Sequence, residues 1–509
     1  MQLINTTPSV IRLHAADNVG VAARAVAEGL PLGIDDGVAR HNIDAGHKVA
    51  LVPIAEGDNV IKYGQVIGRA SRAIAVGEHV HTHNVAMLER DTALEGFEPF
   101  PRTPVSDSGR TFMGYHRPNG QVGTRNYIGI LSTVNCSATV AKVAAERLNA
   151  AGEIAASGFD GVVAITHGSG CAMNTESEGF AFLERVIAGY ARHPNFAHVV
   201  IIGLGCETNQ VKQLIEKSGL EDGARLAYFN IQQVGGTRAS IQMACDKVLE
   251  MARRHERDER RPAPLHHLSV ALQCGGSDGY SGITANPALG HAADLIVRHG
   301  GSAILSETPE IYGAEHLLLD RAVDVEVARK LLARIAWWKH YTEINGAELN
   351  NNPSPGNKAG GLSTILEKSL GAVAKGGSSS LNDVLEYAEP LKVPGFNFMD
   401  SPGYDPVSVT GQIASGASVV CFTTGRGSVS GFKPAPCLKL ATNTHMYETM
   451  REDMDLNCGA IIDGDVSVEE MGEAIFERII AVASGDASAS ESLGYGSNEF
   501  VPWMVGAIT

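Results

Sequence analysis

Four of the eight cysteines in this 509-residue chain share one setting. Ile128–Cys136 (IGILSTVNC), Val162–Cys171 (VVAITHGSGC), Val199–Cys206 (VVIIGLGC) and Ser269–Cys274 (SVALQC) each run from an apolar strand into a thiol. Open α/β sheets bind ligands beyond the carboxyl ends of their strands. Cys136, Cys171, Cys206 and Cys274 are therefore expected to meet at one reactive site built from several loops. Thiolates are soft ligands that suit iron or an iron–sulfur cluster, and a cluster held by three of them leaves one iron open to bind a hydroxy acid. The plainer role of a core thiol fits Cys245, in a helical pattern, and Cys421, inside a strand. Cys437 and Cys458 lack a glycine-rich setting.

Histidines and charges add to the constellation. In GEHVHTHN, His79, His81 and His83 recur at period two and would share one face of a strand. That face is either exposed and polar or a site for metal or carboxylate, with His81 and His83 reaching toward another domain. His167, in THGSGC, is a candidate general base or ligand, or a hydrogen-bonded core residue. Glu207 and Asn209 (GCETN) and Glu307 and Glu310 (SETPE) follow strands, where they serve as metal ligands, as bases or as helix N-caps. Lys358 (PGNKAGG) and Arg426 (TTGRG) are cations in glycine-rich loops. They either clamp a substrate carboxylate, which arginine grips bidentately, or remain solvated. Asn357 lies beside Lys358, and Ser277, Asp278 and Asn286 follow Cys274 in CGGSDGYSGITAN; all four are candidate substrate contacts.

Other chemistries lose their markers. GRGSVSG (Gly425–Gly431) misses the dinucleotide spacing, and the chain has no GxxxxGK[ST], GxSxG or HExxH. A nicotinamide oxidoreductase is disfavoured accordingly. The net charge of −16 excludes a basic nucleic-acid face. A small anionic substrate needs a locally positive pocket.

The elements that must position these residues follow from pattern. No run of 18 apolar residues spans a membrane, MQLINTTPSVIRLH is not a secretory signal, and the dispersed cysteines form no disulfide framework. A reducing cytoplasm is the expected compartment. Residues 1–95 read as a small all-β domain of short alternating runs, and 96–118 as a Pro/Ser/Gly-rich linker. Residues 119–264 alternate strands (Ile128–Val134, Gly161–Ile165, Val199–Leu204) with helices (Ala138–Leu148, Ser177–Ala191, Gln210–Ser218), the signature of a parallel, doubly wound sheet. Residues 265–509 form a second α/β domain with strands Ser269–Gln273, Ala303–Ser306, Val419–Thr423 and Cys437–Ala441. It also carries an irregular loop, Asn350–Gly361, a helix, Leu362–Lys375, and a tail from Ser484 that packs or caps. The fold class is thus α/β multidomain.

At these residues the chain resembles the altronate/galactarate dehydratase family of sugar-acid lyases. The resemblance rests on GHKVAL (Gly46–Leu51), VIKYG (Val60–Gly64), GEHVHTHN, NGQVGTRN (Asn119–Asn126), IGLGCE (Ile202–Glu207), CGGSDGYSGITANP (Cys274–Pro287), NPSPGNKAGG (Asn352–Gly361) and TTGRG. It implies an N-terminal SAF-like β domain and a catalytic α/β body. It further implies an iron(II)- or manganese-stimulated dehydration of an aldonic or aldaric acid to the 2-keto-3-deoxy product. The histidines of VHTHN resemble the altronate branch. Ser169-Gly170-Cys171 departs from the Tyr-Gly-Cys of both branches, which leaves the exact sugar acid open. On this reading Cys136, Cys171 and Cys274 hold iron, with Cys206 a lesser member. His167 takes the α-proton, His81 and His83 reach in from the β domain, and Lys358 and Arg426 bind the substrate. Galactarate, another aldarate or a sulfonated hydroxy acid that loses sulfite are alternative substrates. A non-catalytic sugar-acid-binding regulator is the alternative outside enzymology, and the oligomeric state is open to a homo-oligomer.

Overall fold

The computed structural model describes residues 9–506 apart from 35–36, 89–93, 95, 107–108, 222 and 256. The first eight residues of the expected β domain lie outside the described residues. That domain consists of two small sheets. Val10–Ile11, Val19–Ala22, Lys48–Ala50 and His79–Val80 pair antiparallel in that order, and Asn59–Lys62, Gln65–Ala70 and Val85–Ala86 form the second sheet. Val10, Leu32, Ile43, Val49 and Leu51 make a core of their own. Val60, Ile67, Ile74, Val80 and Val85 instead pack into the core of the C-terminal body, so this domain is half-buried by docking.

Two parallel sheets follow. The smaller has the order Gly161–Ile165, Tyr127–Ser132, Phe196–Gly203, Leu226–Asn230. Its side chains alternate by face as period two requires. Ile128, Ile130, Val200 and Ile202 meet the helices Ala138–Ala151 and Thr237–Arg254, whereas Leu131, Val199 and Ile201 meet Glu178–Arg192 and Val211–Ser218. The larger sheet has seven parallel strands in the order Leu381–Leu385, Phe396–Met399, Ser302–Ser306, Ser269–Cys274, Val419–Thr424, Cys437–Ala441, Leu456–Asn457. The chain order reverses between Tyr127–Ser132 and Phe196–Gly203 in the small sheet, and between Ser269–Cys274 and Val419–Thr424 in the large one. At such points adjacent loops diverge and leave a crevice at the strands' carboxyl ends.

One core joins the two sheets, and its aromatic centre is supplied from the tail. Trp503 stacks on Phe182 of the first α/β unit, at 5.0 Å between ring centroids, and on Trp338 of the second, at 5.4 Å, with Tyr387 edge-on.

The strands and helices lie within a few residues of their expected positions, with three differences. Thr111–His116 is a strand rather than linker coil, paired antiparallel with Arg261–Pro264 on one side and, at its end, with Val122–Gly123 on the other; most of its pairing is with the segment about 150 residues away, beyond the reach of local pattern. The expected irregular loop contains a short helix, Pro355–Ala359, because Ser354 and Asn357 cap it reciprocally and a proline starts it. The helix expected over Leu362–Lys375 is Ile365–Val373, capped by Thr364 and ending in a 3-10 turn. No helix among the described residues is long and apolar enough to cross a membrane.

Candidate active site at the sheet's switch point

The reversal in the large sheet brings the loop after Cys274 against the loop after Thr424. The backbone N–H groups of Gly425 and Arg426 donate to the Gly276 carbonyl. A side chain on Gly425 would collide with the Asp278 carboxylate. Asp278 is buried and organises the crevice: Oδ1 accepts from the N–H groups of Tyr280 and Ser281 and from the Ser281 hydroxyl, and Oδ2 from Asn443 Nδ2. Thr442 Oγ1 lies 3.0 Å from both oxygens. Burial raises its carboxyl above the ordinary value, and these hydrogen bonds oppose the rise.

The β domain closes the crevice. Tyr280 Oη donates to the carbonyls of Ala22 and Ala23, and Gly279 lies so close to Gly46 that a β-carbon there would strike its carbonyl oxygen. Gly279→Ala should therefore push the domains apart and speed proteolytic release of the β domain, with little effect on the circular dichroism of the body. The cavity between them has a volume of about 520 Å³, and Arg24, Asp278, Tyr280, Arg426 and His445 are among its lining residues. That is a small-molecule size. Neither Arg24 nor His445 stands out in the sequence, because THMYET has no glycine-rich setting and Arg24, two residues beyond the strand Val19–Ala22, sits in an alanine-rich run with none of the glycines that mark the other candidate loops.

Against this cavity sits an imidazole cluster. His47 Nε2 meets the carbonyl of Ala359, a residue of the cavity wall, and His47 Nδ1 lies 3.0 Å from His79 Nε2. The rings of His47, His79 and His81 are 5.1–5.4 Å apart between centroids, and His83 lies 5.4 Å from His79. Only His79 is on a strand; the chain turns at His81, so the expected shared strand face is replaced by a turn that gathers the rings. His47, in GHKVAL, was not foreseen as a member. Burial, then the neighbouring positive groups, lowers His79 to about 3 and His81 to about 4, so the rings stay neutral and keep their lone pairs. Nδ1 of His81 is buried with no hydrogen-bond partner.

The helix Ile365–Val373 locks the halves together. Glu367 accepts from Lys48 at 2.8 Å and Lys62 at 2.9 Å, and all three side chains are fully buried. Burial pushes the Glu367 carboxyl up, but the two ammonium groups outweigh it and hold it well below its ordinary value. The next residue, Lys368, donates to Glu310 at 2.6 Å, and Lys375 donates to Cys274 Sγ at 2.8 Å. Cys274, Glu307 and Glu310 are the one set of three metal-type donors within 4.8 Å of one another among the described residues. Burial, aided by Glu310 and Glu307, pushes the Cys274 thiol up to about 12. Burial and Glu310 raise Glu307 well above its ordinary value, whereas Lys368 and Lys375 outweigh burial to lower Glu310. Two ammonium groups already serve this set, Lys368 on Glu310 and Lys375 on Cys274 and Glu307. A divalent cation there would have to displace them.

The other expected contacts separate. Cys274 belongs to the buried set just described. Cys136, Cys171 and Cys206 are exposed and lie in the loops of the small sheet, so the four cysteines do not form one site. His167 also lies on the small sheet, away from the switch-point cavity of the large one, with Nε2 3.1 Å from the Ser132 carbonyl and Nδ1 accepting from the Ser169 N–H. Asn286 is spent on Gly371 and Thr423. Asn357 is spent on the Ser354 cap and on the carbonyl of Ser277, so both position loops. Ser277 is buried, and Lys358 is half-buried on the helix before the cavity wall. Glu207 ties its loop to Thr133, and Asn209 donates to the Thr133 carbonyl rather than capping the next helix.

Family models cover the chain in the same three parts. The altronate/galactarate dehydratase SAF domain matches residues 8–88, the D-galactarate dehydratase/altronate hydrolase second domain 114–256, and the D-galactarate/altronate dehydratase C-terminal domain 265–508. The altronate dehydratase of Bacillus subtilis (strain 168) is 38% identical over 485 residues, covering 94% of this chain and 95% of its own length. The altronate dehydratase of Escherichia coli (strain K12) is 38% identical over 94% of this chain and 96% of its own length. The galactarate dehydratase (L-threo-forming) of Escherichia coli (strain K12) is 36% identical over 95% of each chain. With every domain matched in order and the glycine-rich crevice loops explained by the docking they permit, the chain belongs to the altronate/galactarate dehydratase family.

Proposed function

We propose that this enzyme removes water from a sugar acid, an aldonate of the altronate type, to give a 2-keto-3-deoxy acid. The observation that carries the reading is the cavity between the β domain and the large sheet's switch point, which sets a guanidinium and an imidazole on the wall of one small-molecule volume, with the histidine cluster behind that wall, in contact with it through His47 and the Ala359 carbonyl. Arg426, exposed at the cavity, binds the substrate carboxylate. His445, on the cavity wall, takes the proton α to that carboxylate, the role imidazole fills most often. Tyr280 and Asp278 hold the loops that shape the wall.

A ferrous or manganous ion fits the histidine cluster by its donor chemistry: neutral imidazoles, one of them with a buried nitrogen lacking a partner. No three of their nitrogens lie within 4.8 Å of one another, and rotation about the soft Cβ–Cγ torsion is what would gather them. When bound, such an ion supplies Lewis-acid stabilisation of the enediolate and of the departing hydroxide.

The test is to assay the anaerobically purified enzyme, with ferrous or manganous ion, against aldonates, aldarates and sulfolactate, measuring 2-keto acid and sulfite. Keto acid from an aldonate without sulfite supports the reading, and sulfite release would replace it with a sulfo-lyase. Binding of aldonate without turnover would leave a regulator. Arg426→Ala should raise KM by about 10–100-fold, the worth of a charge-assisted hydrogen bond, and Arg426→Lys should recover little because lysine lacks the planar fork. His81→Ala should lower bound metal, read by elemental analysis, together with kcat.

A further inference from the structure

The small sheet has its own switch point, and it carries chemistry the dehydratase cavity does not use. Cys136, Cys171 and Cys206 follow Tyr127–Ser132, Gly161–Ile165 and Phe196–Gly203, which are adjacent strands running parallel. Their loops are bound to one another. The Asn135 N–H donates to the Ser169 carbonyl, the Asn209 N–H donates to the Gly170 carbonyl, and Thr133 Oγ1 donates to Glu207. Each thiol is thus one residue from a cross-loop hydrogen bond, and the three stand on one rim.

All three are exposed, whereas the other five cysteines are buried. Solvent exposure is the unusual state for cysteine, a residue that ordinarily packs as a small hydrophobe. The three sulfurs are not all within 4.8 Å of one another, since they form no such donor set. A single ion would need all three closer than that, whereas a cluster takes each thiolate on a different iron and does not. Gln232 Nε2 donates to Cys206 Sγ at 3.3 Å, the kind of amide-to-sulfur bond that stabilises cluster ligands. Asn209 Oδ1, buried among the same loops, has no hydrogen-bond partner. A cavity of about 310 Å³, with Asn135, Lys142 and Ser169 in its lining, adjoins the rim.

We propose that Cys136, Cys171 and Cys206 ligate an iron–sulfur cluster on the small sheet, separate from the dehydratase cavity. Three cysteines leave one iron of a four-iron cluster without a protein ligand, and the adjoining cavity, with the cation Lys142 on its wall, suits a small anion. Cys274 is not a ligand. The proposal does not rest on the dehydratase reading, because its readouts are spectroscopic.

The full chain should be purified without oxygen and reconstituted with ferrous iron, sulfide and a thiol reductant. The expected result is iron and acid-labile sulfide in near-equal amounts, broad visible absorption, and protection of these three cysteines from alkylation. Cys136→Ser, Cys171→Ser and Cys206→Ser should each lose the absorption while keeping the circular dichroism and thermal midpoint of the parent. Cys458→Ser, in the buried core, should retain it. Iron bound without sulfide, no sulfide-dependent absorption in the parent, or absorption that survives the three serine variants would each overturn the proposal. If the serine variants unfold, alkylation of the intact parent decides: equal labelling of the three cysteines with and without reconstitution overturns it. Turnover of sugar acids in a cluster-free sample would leave the dehydratase reading standing alone.

Discussion

Changing His445 to alanine should lower kcat by about 10²–10⁴-fold, the usual worth of a positioned general base, with KM changed much less. The imidazole lines the cavity on the side of Asn443 and Thr444, two positions after the residue that ties this loop to Asp278. Its removal takes away a proton acceptor and leaves the loop's hydrogen bonds in place. Exchange of the substrate α-hydrogen with solvent deuterium, followed by nuclear magnetic resonance, separates this role from a structural one. Exchange should vanish in His445→Ala while the variant still binds the sugar acid and keeps the parent thermal midpoint. Parent-like exchange in the variant would assign the base elsewhere, with the carboxylate pair beneath Cys274 next to be tested.

Glu367→Gln should destabilise the folded enzyme by about 3–5 kcal/mol, the cost of breaking a buried ion pair and stranding its partners. Here one carboxylate serves two lysines from a different domain, so both lose their counter-charge at once. The measurement is the urea midpoint, with β-domain release followed by proteolysis. The same triad sets a pH dependence. Glu367 is held below its ordinary 4.5, so its contribution is complete above that value and drains away as pH falls toward the folded-state value. Lys48 behaves in the opposite region. Burial lowers it from 10.5 to about 8, although Glu367 opposes the shift. Between those values the unfolded chain holds more protons, and the Lys48 contribution to stability rises with pH. Lys62 is raised, because Glu367 and Tyr63 outweigh the burial that would lower it, and it stabilises until the pH passes its unfolded value. The parent midpoint should therefore fall below pH 4.5, and Glu367→Gln should flatten that acid limb.

The parallel sheets were legible because buried strands and amphipathic helices are local patterns, and Gly161–Ile165 and Cys437–Ala441 come out residue for residue. The small sheet's crevice was legible too, since strand-end cysteines mark it. The grouping of the cysteines was not. Cys136 and Cys274 have the same local context, a strand running into a polar loop, and only the assignment of their strands to different sheets tells them apart. His47 and Glu367 escaped notice for a related reason. Each acquires its meaning from a partner more than 30 residues away, and their local pattern is that of a turn and of an ordinary capped helix. His167 is ambiguous in sequence, because a histidine whose two nitrogens are satisfied by backbone looks the same there as one that is poised to accept a proton.

The aromatic stack also bears on how the chain is made. Phe182, Trp338 and Tyr387 leave the ribosome well before Trp503, which completes their stack. At usual elongation rates the interval from Phe182 to Trp503 is roughly 15–60 s. For that time the slot between the two sheets stands open and apolar, a surface of the kind that chaperones and aggregation compete for. A nascent chain stopped short of Trp503 would carry both sheets without their clasp. Its fate would be decided by how quickly such an unfinished product is cleared, rather than by how well its catalytic cavity is formed.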